Sequence, residues 1–211
     1  MDKGEPIVSA ESPTVFLVDD DPSVQCSLTR LFTGAGYAVA AYSLARALLA
    51  SAPGDRPGCV VTNLQIPDMD GIELQTALRE QRWPQPVLFI SAYADIPAVV
   101  KTMKAGAVDF LLTPCSGDVL LAAVACAVAL DQKARQERRA KTALRARFAT
   151  LTPQENRVCR LVGGGLASKE IAAELGIAEQ TVRLHRHRIM QKLAASSVSH
   201  LVRLCLEHSG D

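Results

Sequence analysis

The sequence lacks a long apolar run, so a membrane-spanning helix is not expected. Its longest uninterrupted apolar stretch, from Val119 to Leu130, has 12 residues, whereas a helix needs about 20 to cross a bilayer. Residues 1–13 also lack the apolar centre of a secretory signal peptide. We therefore expect a cytoplasmic protein that does not bind membranes.

Closely spaced cysteines are absent as well. The six cysteines occur without a Cys-x-x-Cys motif, and most of them lie in apolar runs. Cysteines of this kind are typically small buried hydrophobic side chains in proteins of a reducing compartment. The pattern therefore predicts buried, reduced thiols.

No charge of one sign dominates the chain, but the charges are unevenly distributed. The formal net charge is +1 over 211 residues, a length that favours two small domains. Residues 1–130 have a net charge of −6, residues 131–147 of +5 and residues 148–211 of +2, and all four histidines lie in the last range. This distribution is typical of a regulator with a nucleic-acid-binding tail, although solvated surface charge without a partner is an alternative.

Five short apolar runs alternate with helical stretches in the first 130 residues. These runs lie at residues 14–18, 37–42, 59–63, 87–91 and 108–112. Runs this apolar are typical of strands covered on both faces, and the intervals between them have the length of crossover helices. The pattern predicts an α/β domain with a doubly wound five-stranded parallel sheet, whose functional site lies beyond the carboxyl ends of the strands.

Polar residues stand at those strand ends. Asp21, directly before Pro22, is explained as a helix N-cap. Asp19 and Asp20 are not, because adjacent carboxylates repel each other unless a cation or a donor lies between them. The other polar strand ends are Asn63, Ser91 and Thr113.

Residues 14–130 resemble the receiver domain of two-component response regulators, and the FixJ branch in particular. The stretches VFLVDDDPSVQCSL, PGCVVTNLQIPDMDGIELQTAL and LFISAYADIPAVVKTMKAGAVDFLLTP carry the resemblance. It implies a flavodoxin- or CheY-like fold in which Asp19 and Asp20 match the acids that hold magnesium. It also implies that Ser91 follows the phosphoryl group, that Phe110 is the switch aromatic and that the Thr113–Pro114 bond is cis.

Two positions depart from the receiver pattern. Asn63 stands where the family keeps its phospho-accepting aspartate, and a neutral amide cannot form the acyl phosphate. Thr113 replaces the lysine that balances charge on the transferring group. We expect no cofactor and no metal site beyond weak magnesium binding at Asp19 and Asp20. The sequence predicts a receiver without aspartyl-phosphate chemistry, unless Asp68 or Asp70 accepts phosphate instead.

The last 81 residues change to helical patterns. Residues 131–147 have neither glycine nor proline, which predicts a charged, solvent-exposed helical linker. The stretch from Thr152 to Glu155 is a capping box, Ser168 is predicted to cap a second helix, and a basic helix follows at residues 179–193. With a further helix at 196–206, residues 148–211 are predicted to be an all-α, four-helix helix-turn-helix domain.

Residues 148–208 resemble the LuxR/NarL-type DNA-binding domain, on the stretch LTPQENRVCRLVGGGLASKEIAAELGIAEQTVRLHRHRIMQKL. The resemblance implies that Arg183, Leu184 and His187 reach bases in the major groove, and that helix 196–206 forms a dimer contact. It also implies a set of residues that contact the DNA backbone: Lys169, Thr181, Arg186, Arg188 and Lys192. Ala178 departs from the family, because many members have a capping serine or threonine there.

Together these features predict a transcription regulator and not an enzyme. We expect a tail at 1–13, a receiver at 14–130, a linker at 131–147 and a DNA-binding domain at 148–211. A homodimer, formed through the fourth helix, fifth strand and fifth helix, would bind an inverted repeat in double-stranded DNA without aspartyl phosphorylation. One alternative is an adaptor that docks a sensor kinase or another response regulator. A second is a phosphorylation-dependent regulator in which Asp68 or Asp70 accepts the phosphate. A third is a redox sensor at Cys115, for which no resolving cysteine is visible.

Overall fold

The structure is a computed structural model that describes residues 12–51, 56–93 and 95–209. The chain divides into two compact units between Arg135 and Gln136. Most of the predicted tail, residues 1–11, lies outside the described residues. In the part of the chain that is described, none of the helices combines the length and the apolar character needed to cross a membrane.

The N-terminal unit is built on the predicted five-stranded parallel sheet, in the order β2-β1-β3-β4-β5. Strands β1, β3 and β4 are buried along their whole length, because each is an apolar run covered on both faces. The strands are β1 (Thr14–Val18), β2 (Ala38–Tyr42), β3 (Gly58–Thr62), β4 (Val87–Ser91) and β5 (Asp109–Leu112).

Helices cover both faces of this sheet. They are α1 (Pro22–Gly34), α2 (Ala45–Ser51), α3 (Gly71–Glu80), α4 (Ile96–Lys104) and α5 (Gly117–Ala149). One core joins α1 and the start of α5 to the sheet, through Phe32 and Val124. A second core joins α2 and α3 to the opposite face, through Leu48 and Leu74. Asp21 caps α1 as predicted, because its Oδ1 accepts the amide of Ser23 at 2.7 Å.

Four helices form the C-terminal core with the end of α5. They are α6 (Pro153–Gly163), α7 (Ser168–Leu175), α8 (Glu179–Leu193) and α9 (Val198–Ser209). The capping box of Thr152 and Glu155 is confirmed. The predicted cap of α7 is wrong, because Ala167 is the N-cap and Ser168 is the first helical residue. Ala167 has no side-chain acceptor for the first amides of α7, but the Glu170 carboxylate accepts the amide of Ala167 at 2.7 Å.

The predicted linker is helical, but the expectation that it is solvent-exposed is wrong at two positions. Asp131 is 0% exposed and Arg135 is 5% exposed. Their side chains form an ion pair of 2.6 Å, one helical turn apart. The Asp131 carboxylate also accepts the amide of Gly58 at 2.9 Å, and Arg135 donates to the carbonyl of Arg56. These contacts bury both charges because they satisfy backbone groups at the start of β3.

The cysteines only partly follow the prediction of buried thiols. Cys59, Cys159 and Cys205 are buried, and Cys115 is half-buried. Cys26 and Cys126 are exposed, because they lie on the outward-facing sides of α1 and α5. An apolar sequence neighbourhood therefore did not determine which thiols face the core.

Candidate functional site

The polar strand ends predicted from the sequence lie together at the carboxyl edge of the sheet. Val18 pairs with Thr62, so Asp19 and Asn63 leave β1 and β3 side by side, and the amide of Asn63 donates to the carbonyl of Val18 at 3.0 Å. Ser91 pairs with Leu112, and the amide of Thr113 donates to the Ser91 carbonyl at 2.9 Å. The sheet order therefore brings both halves of the predicted pocket to one edge.

Asp19 is the buried acid of this pocket. It is 4% exposed, whereas Asp20 is exposed. Burial raises the pKa of Asp19, the hydrogen bond from the amide of Asp21 lowers it, and the charges of Asp20 and Asp21 raise it further. Among the described residues no basic side chain forms an ion pair with Asp19. The pocket thus holds an acidic charge without a balancing cation from the protein.

Asn63 directly follows β3 at this edge of the sheet. It is half-buried, and its Oδ1 lies 3.4 Å from the amide of Gln65. The backbone of Gly71 passes close to Asn63, since a Cβ at Gly71 would lie only 2.6 Å from the Asn63 carbonyl oxygen. An asparagine side chain at this point offers an amide oxygen and an amide nitrogen but no anionic nucleophile.

The remaining pocket residues have defined partners. Ser91 is 5% exposed and its hydroxyl donates to the carbonyl of Tyr93 at 2.8 Å. Phe110 is half-buried and stacks on Phe89 with a centroid distance of 5.7 Å. Thr113 is exposed, and its peptide bond to Pro114 is cis, as the resemblance implied.

The two acids weighed as substitute phosphate acceptors both cap helices. The Asp68 carboxylate accepts the amides of Ala45 and Arg46 at 3.0 and 2.9 Å, at the start of α2. Burial would raise the pKa of Asp68, but these hydrogen bonds hold it below its ordinary value. Asp70 accepts the amide of Glu73 at 2.7 Å and forms the capping box of α3. Both carboxylates therefore have structural roles.

Replacing Asp19 with asparagine is expected to stabilise the N-terminal unit at neutral pH by about 1 kcal/mol. The substitution removes a buried negative charge that lies beside two other acids. The raised pKa means that the wild-type carboxyl costs stability as pH rises through its folded-state value. The gain should therefore fade below pH 3.8, the ordinary value for aspartate. Urea unfolding without magnesium, followed by the fluorescence of the single tryptophan, Trp83, measures it. An unchanged midpoint at neutral pH would contradict the expectation.

Helix α8 presents a basic outer surface. Val182, Ile189 and Leu193 are buried in the C-terminal core. The residues predicted to reach bases lie on the opposite side, since Arg183 is 66% exposed, Leu184 is 47% exposed and His187 is exposed. Arg183 pairs with Glu179 of the preceding turn at 2.7 Å. An exposed pair of this kind contributes little stability, so the guanidinium can exchange it for another acceptor.

Two of the residues predicted to contact the DNA backbone, Arg186 and Lys192, form side-chain hydrogen bonds within the C-terminal unit. Arg186 donates to the hydroxyl of Ser168 at 2.9 Å. Lys192 donates to the Glu155 carboxylate at 2.6 Å and to the Thr150 carbonyl at 3.0 Å. Burial would raise the pKa of Glu155, which is 3% exposed, but hydrogen bonds from Lys192 and Thr152 hold it below its ordinary value. Lys169 and Arg188 are exposed, and Thr181 is half-buried.

Replacing Lys192 with alanine is expected to lower the stability of the C-terminal unit by about 2 kcal/mol. The substitution leaves the buried Glu155 without its cation, and the cost is below that of a fully buried pair because Lys192 is 33% exposed. Lys169→Ala is the matched control, since Lys169 is exposed. Both variants should bind non-specific duplex DNA with a smaller salt dependence, but only Lys192→Ala should unfold at a lower temperature in calorimetry. Equal unfolding temperatures would contradict the structural role of Lys192.

The comparisons with known proteins agree with both halves of this description. The family model of the response regulator receiver domain matches residues 15–125, and that of bacterial regulatory proteins of the luxR family matches residues 149–205. Nodulation protein W of Bradyrhizobium diazoefficiens is 42% identical over 190 residues, which cover 90% of this chain and 84% of that protein. The chain belongs to the FixJ/NarL type of two-component response regulators.

Two further proteins support this membership. The transcriptional regulatory protein FixJ of Rhizobium meliloti is 39% identical over 193 residues, which cover 92% of this chain and 95% of that protein. The solved structure of the response regulator StyR is 42% identical, covers 93% of this chain and 99% of its own, and has a TM-score of 0.84. As a response regulator with a LuxR-type helix-turn-helix, the chain is a DNA-binding transcriptional regulator.

Sequence reasoning missed several contacts around these sites. The ion pair of Lys192 with Glu155, and the backbone partners of Asp131 at β3, join residues far apart in the chain. The only local signal was the spacing of Asp131 and Arg135, which places opposite charges one helical turn apart. That spacing is equally typical of a solvated helix, so it did not predict burial.

Proposed function

We propose that this response regulator controls transcription without aspartyl phosphorylation of its receiver. The observation that carries the proposal is the half-buried amide of Asn63, which leaves β3 beside the buried Asp19 at the carboxyl edge of the sheet. An amide in this position provides neither the nucleophile nor the third anionic magnesium ligand of a phosphorylation pocket. Thr113 provides no cation for the phosphoryl group.

The roles of Asp68 and Asp70 weigh against a substitute acceptor. Phosphorylation of either carboxylate would disturb the hydrogen bonds that start α2 or α3. Loss of such a cap costs about 0.5–2 kcal/mol, so the modification would work against the fold. A regulator that works without aspartyl phosphate keeps both helix caps.

Acetyl phosphate treatment of the full-length protein with magnesium tests the proposal. We expect no phosphoryl adduct by intact mass and no change in affinity for the DNA sequence selected by the untreated protein. A stable adduct on the wild type would contradict the proposal, and Asp68→Asn and Asp70→Asn variants would then identify the acceptor.

We further propose that the receiver forms a homodimer through the apolar α4–β5–α5 face. This face consists of Ile96, Val100, Met103, Leu112 and Val119, whose exposed fractions range from 40% to 80%. Exposed apolar side chains grouped in this way are typical of protein interfaces. Because the face exists without phosphate, the dimer is expected in the untreated protein. Light scattering should show that the wild type is a dimer and that Ile96→Glu disrupts it. Val198→Glu on α9 is the control and should disrupt the dimer less. A monomeric wild type would contradict the proposal.

Arg183 is proposed to read a base in each half-site. Selection from a randomised duplex library should show that Arg183→Ala relaxes sequence preference at one position per half-site, with a loss of about 1–3 kcal/mol per base contact. Arg203 of α9 is a matched control, because it is 70% exposed but lies outside α8. A uniform loss across all sequences would assign Arg183 to the DNA backbone instead. If the wild type selects no sequence at all, the adaptor alternative is favoured.

A further inference from the structure

Helices α6 and α9 pack closely against each other at Gly163. A Cβ at this glycine would lie 3.0 Å from the Cβ of Cys205, which is closer than ordinary van der Waals contact. Cys159 lies one helical turn before Gly163 on α6. The absence of a side chain at Gly163 therefore lets α9 pack tightly enough for Cys205 to reach Cys159.

The two thiols face each other inside the C-terminal core. Their Sγ atoms are 2.6 Å apart, and each residue is 3% exposed. A disulfide requires about 2.05 Å between the sulfurs, so bond formation needs a movement of roughly half an ångström. The two cysteines are 46 positions apart in the chain, so no local sequence pattern indicates that they form a pair.

The contact also distinguishes the two sulfurs chemically. The hydrogen bond from the Cys159 thiol lowers the pKa of Cys205, against the burial that raises it. The thiolate is the reactive form of cysteine, so Cys205 is the better nucleophile of the two.

We propose that Cys159 and Cys205 form a reversible disulfide that joins α6 to α9 within the DNA-binding domain. A peroxide is the oxidant, because it is small enough to enter when the core opens locally. The Cys205 thiolate attacks one peroxide oxygen and becomes a sulfenic acid while water leaves. The Cys159 thiol then attacks the sulfur of this sulfenic acid, the disulfide forms, and the sulfenic oxygen leaves as water. The two thiols lose two electrons and two protons, and hydrogen peroxide is reduced to two molecules of water.

Burial determines the rate and the consequence of this step. Because both sulfurs are inaccessible in the closed domain, oxidation awaits local opening of α9. Once formed, the bond closes a long loop and restricts the unfolded chain, which stabilises the folded domain. Formation of this disulfide does not depend on the phosphorylation state of the receiver.

The test uses the full-length protein with the exposed Cys26 and Cys126 both replaced by alanine, so that cross-linking between molecules is suppressed. After treatment with hydrogen peroxide, free thiols are blocked with N-ethylmaleimide in denaturant and the digest is mapped by mass spectrometry. We expect a peptide pair joined through Cys159 and Cys205, which dithiothreitol separates. Calorimetry should show the thermal midpoint of the oxidised domain raised by about 5 °C or more.

Cys159→Ala is the matched variant, and it should neither form the peptide pair nor gain stability under peroxide. Should that variant fail to fold, the comparison of oxidised and reduced protein in the double-alanine background still decides the question. Full alkylation of Cys159 and Cys205 after peroxide treatment would overturn the proposal. A disulfide between them that leaves the thermal midpoint unchanged would overturn its stabilising role.

Discussion

The full-length protein carrying both Asn63→Asp and Thr113→Lys is expected to gain one phosphoryl group from acetyl phosphate, whereas the wild type is expected to keep its mass. Asn63→Asp returns a nucleophile beside Asp19 and a third carboxylate for magnesium. Thr113→Lys returns a cation at the end of β5, where Thr113 is exposed and has room for a longer side chain. Each substitution supplies a different requirement of the same transition state.

The single variants separate these requirements. Asn63→Asp alone should be phosphorylated slowly, because the charge of the transferring group is not balanced. Thr113→Lys alone should not be phosphorylated, because it lacks the nucleophile. The effects of the two substitutions should therefore be non-additive. Intact mass measured over time for all four proteins gives the rates.

The outcome also tests how much of the pocket has been retained. Ser91 ends β4, Phe110 stacks on Phe89, and the Thr113–Pro114 bond is cis. If the double variant gains no phosphoryl group, Asn63 and Thr113 are not the only residues that prevent phosphorylation. The hydroxyl of Ser91, which donates to the Tyr93 carbonyl, is then the first contact to examine.

The fold was predictable because its signals are local. A strand covered on both faces can be recognised from its own apolar residues alone. Each strand was therefore predicted to within one residue at either end. Asp21 and Thr152 were recognised as caps because the groups they bind lie two or three residues away. The cap of α7 was misplaced by one residue, since the Ser168 hydroxyl accepts from Arg186 of α8 and not from its own helix.

The environments of the site residues were less predictable, because they depend on contacts between distant segments. The sequence shows that Lys192 is a cation on a basic helix, but not that Glu155 lies 2.6 Å away. It shows the acid Asp68, but not that the amides of α2 are its partners. The wrong expectation of a solvated linker has the same origin, since the burial of Asp131 depends on the start of β3.

Replacing Asp131 with alanine is expected to destabilise the N-terminal unit by about 3–5 kcal/mol, a large part of the stability of an ordinary domain. The substitution removes the 2.6 Å carboxylate partner of the buried Arg135 and the acceptor of the Gly58 amide. Lys133→Ala, which removes an exposed charge from the same helix within this unit, should change stability by less than about 0.5 kcal/mol.

The double variant Asp131→Ala/Arg135→Met separates a buried-charge penalty from a loss of packing. If the cost of Asp131→Ala comes mainly from leaving the guanidinium without this carboxylate, replacing that guanidinium with an apolar side chain should recover part of the stability. Urea unfolding followed by Trp83 fluorescence reports on this unit alone, because Trp83 is the only tryptophan of the chain and packs on Phe16 of β1. A double variant less stable than Asp131→Ala would show instead that Arg135 stabilises the helix through the Arg56 carbonyl, independently of Asp131.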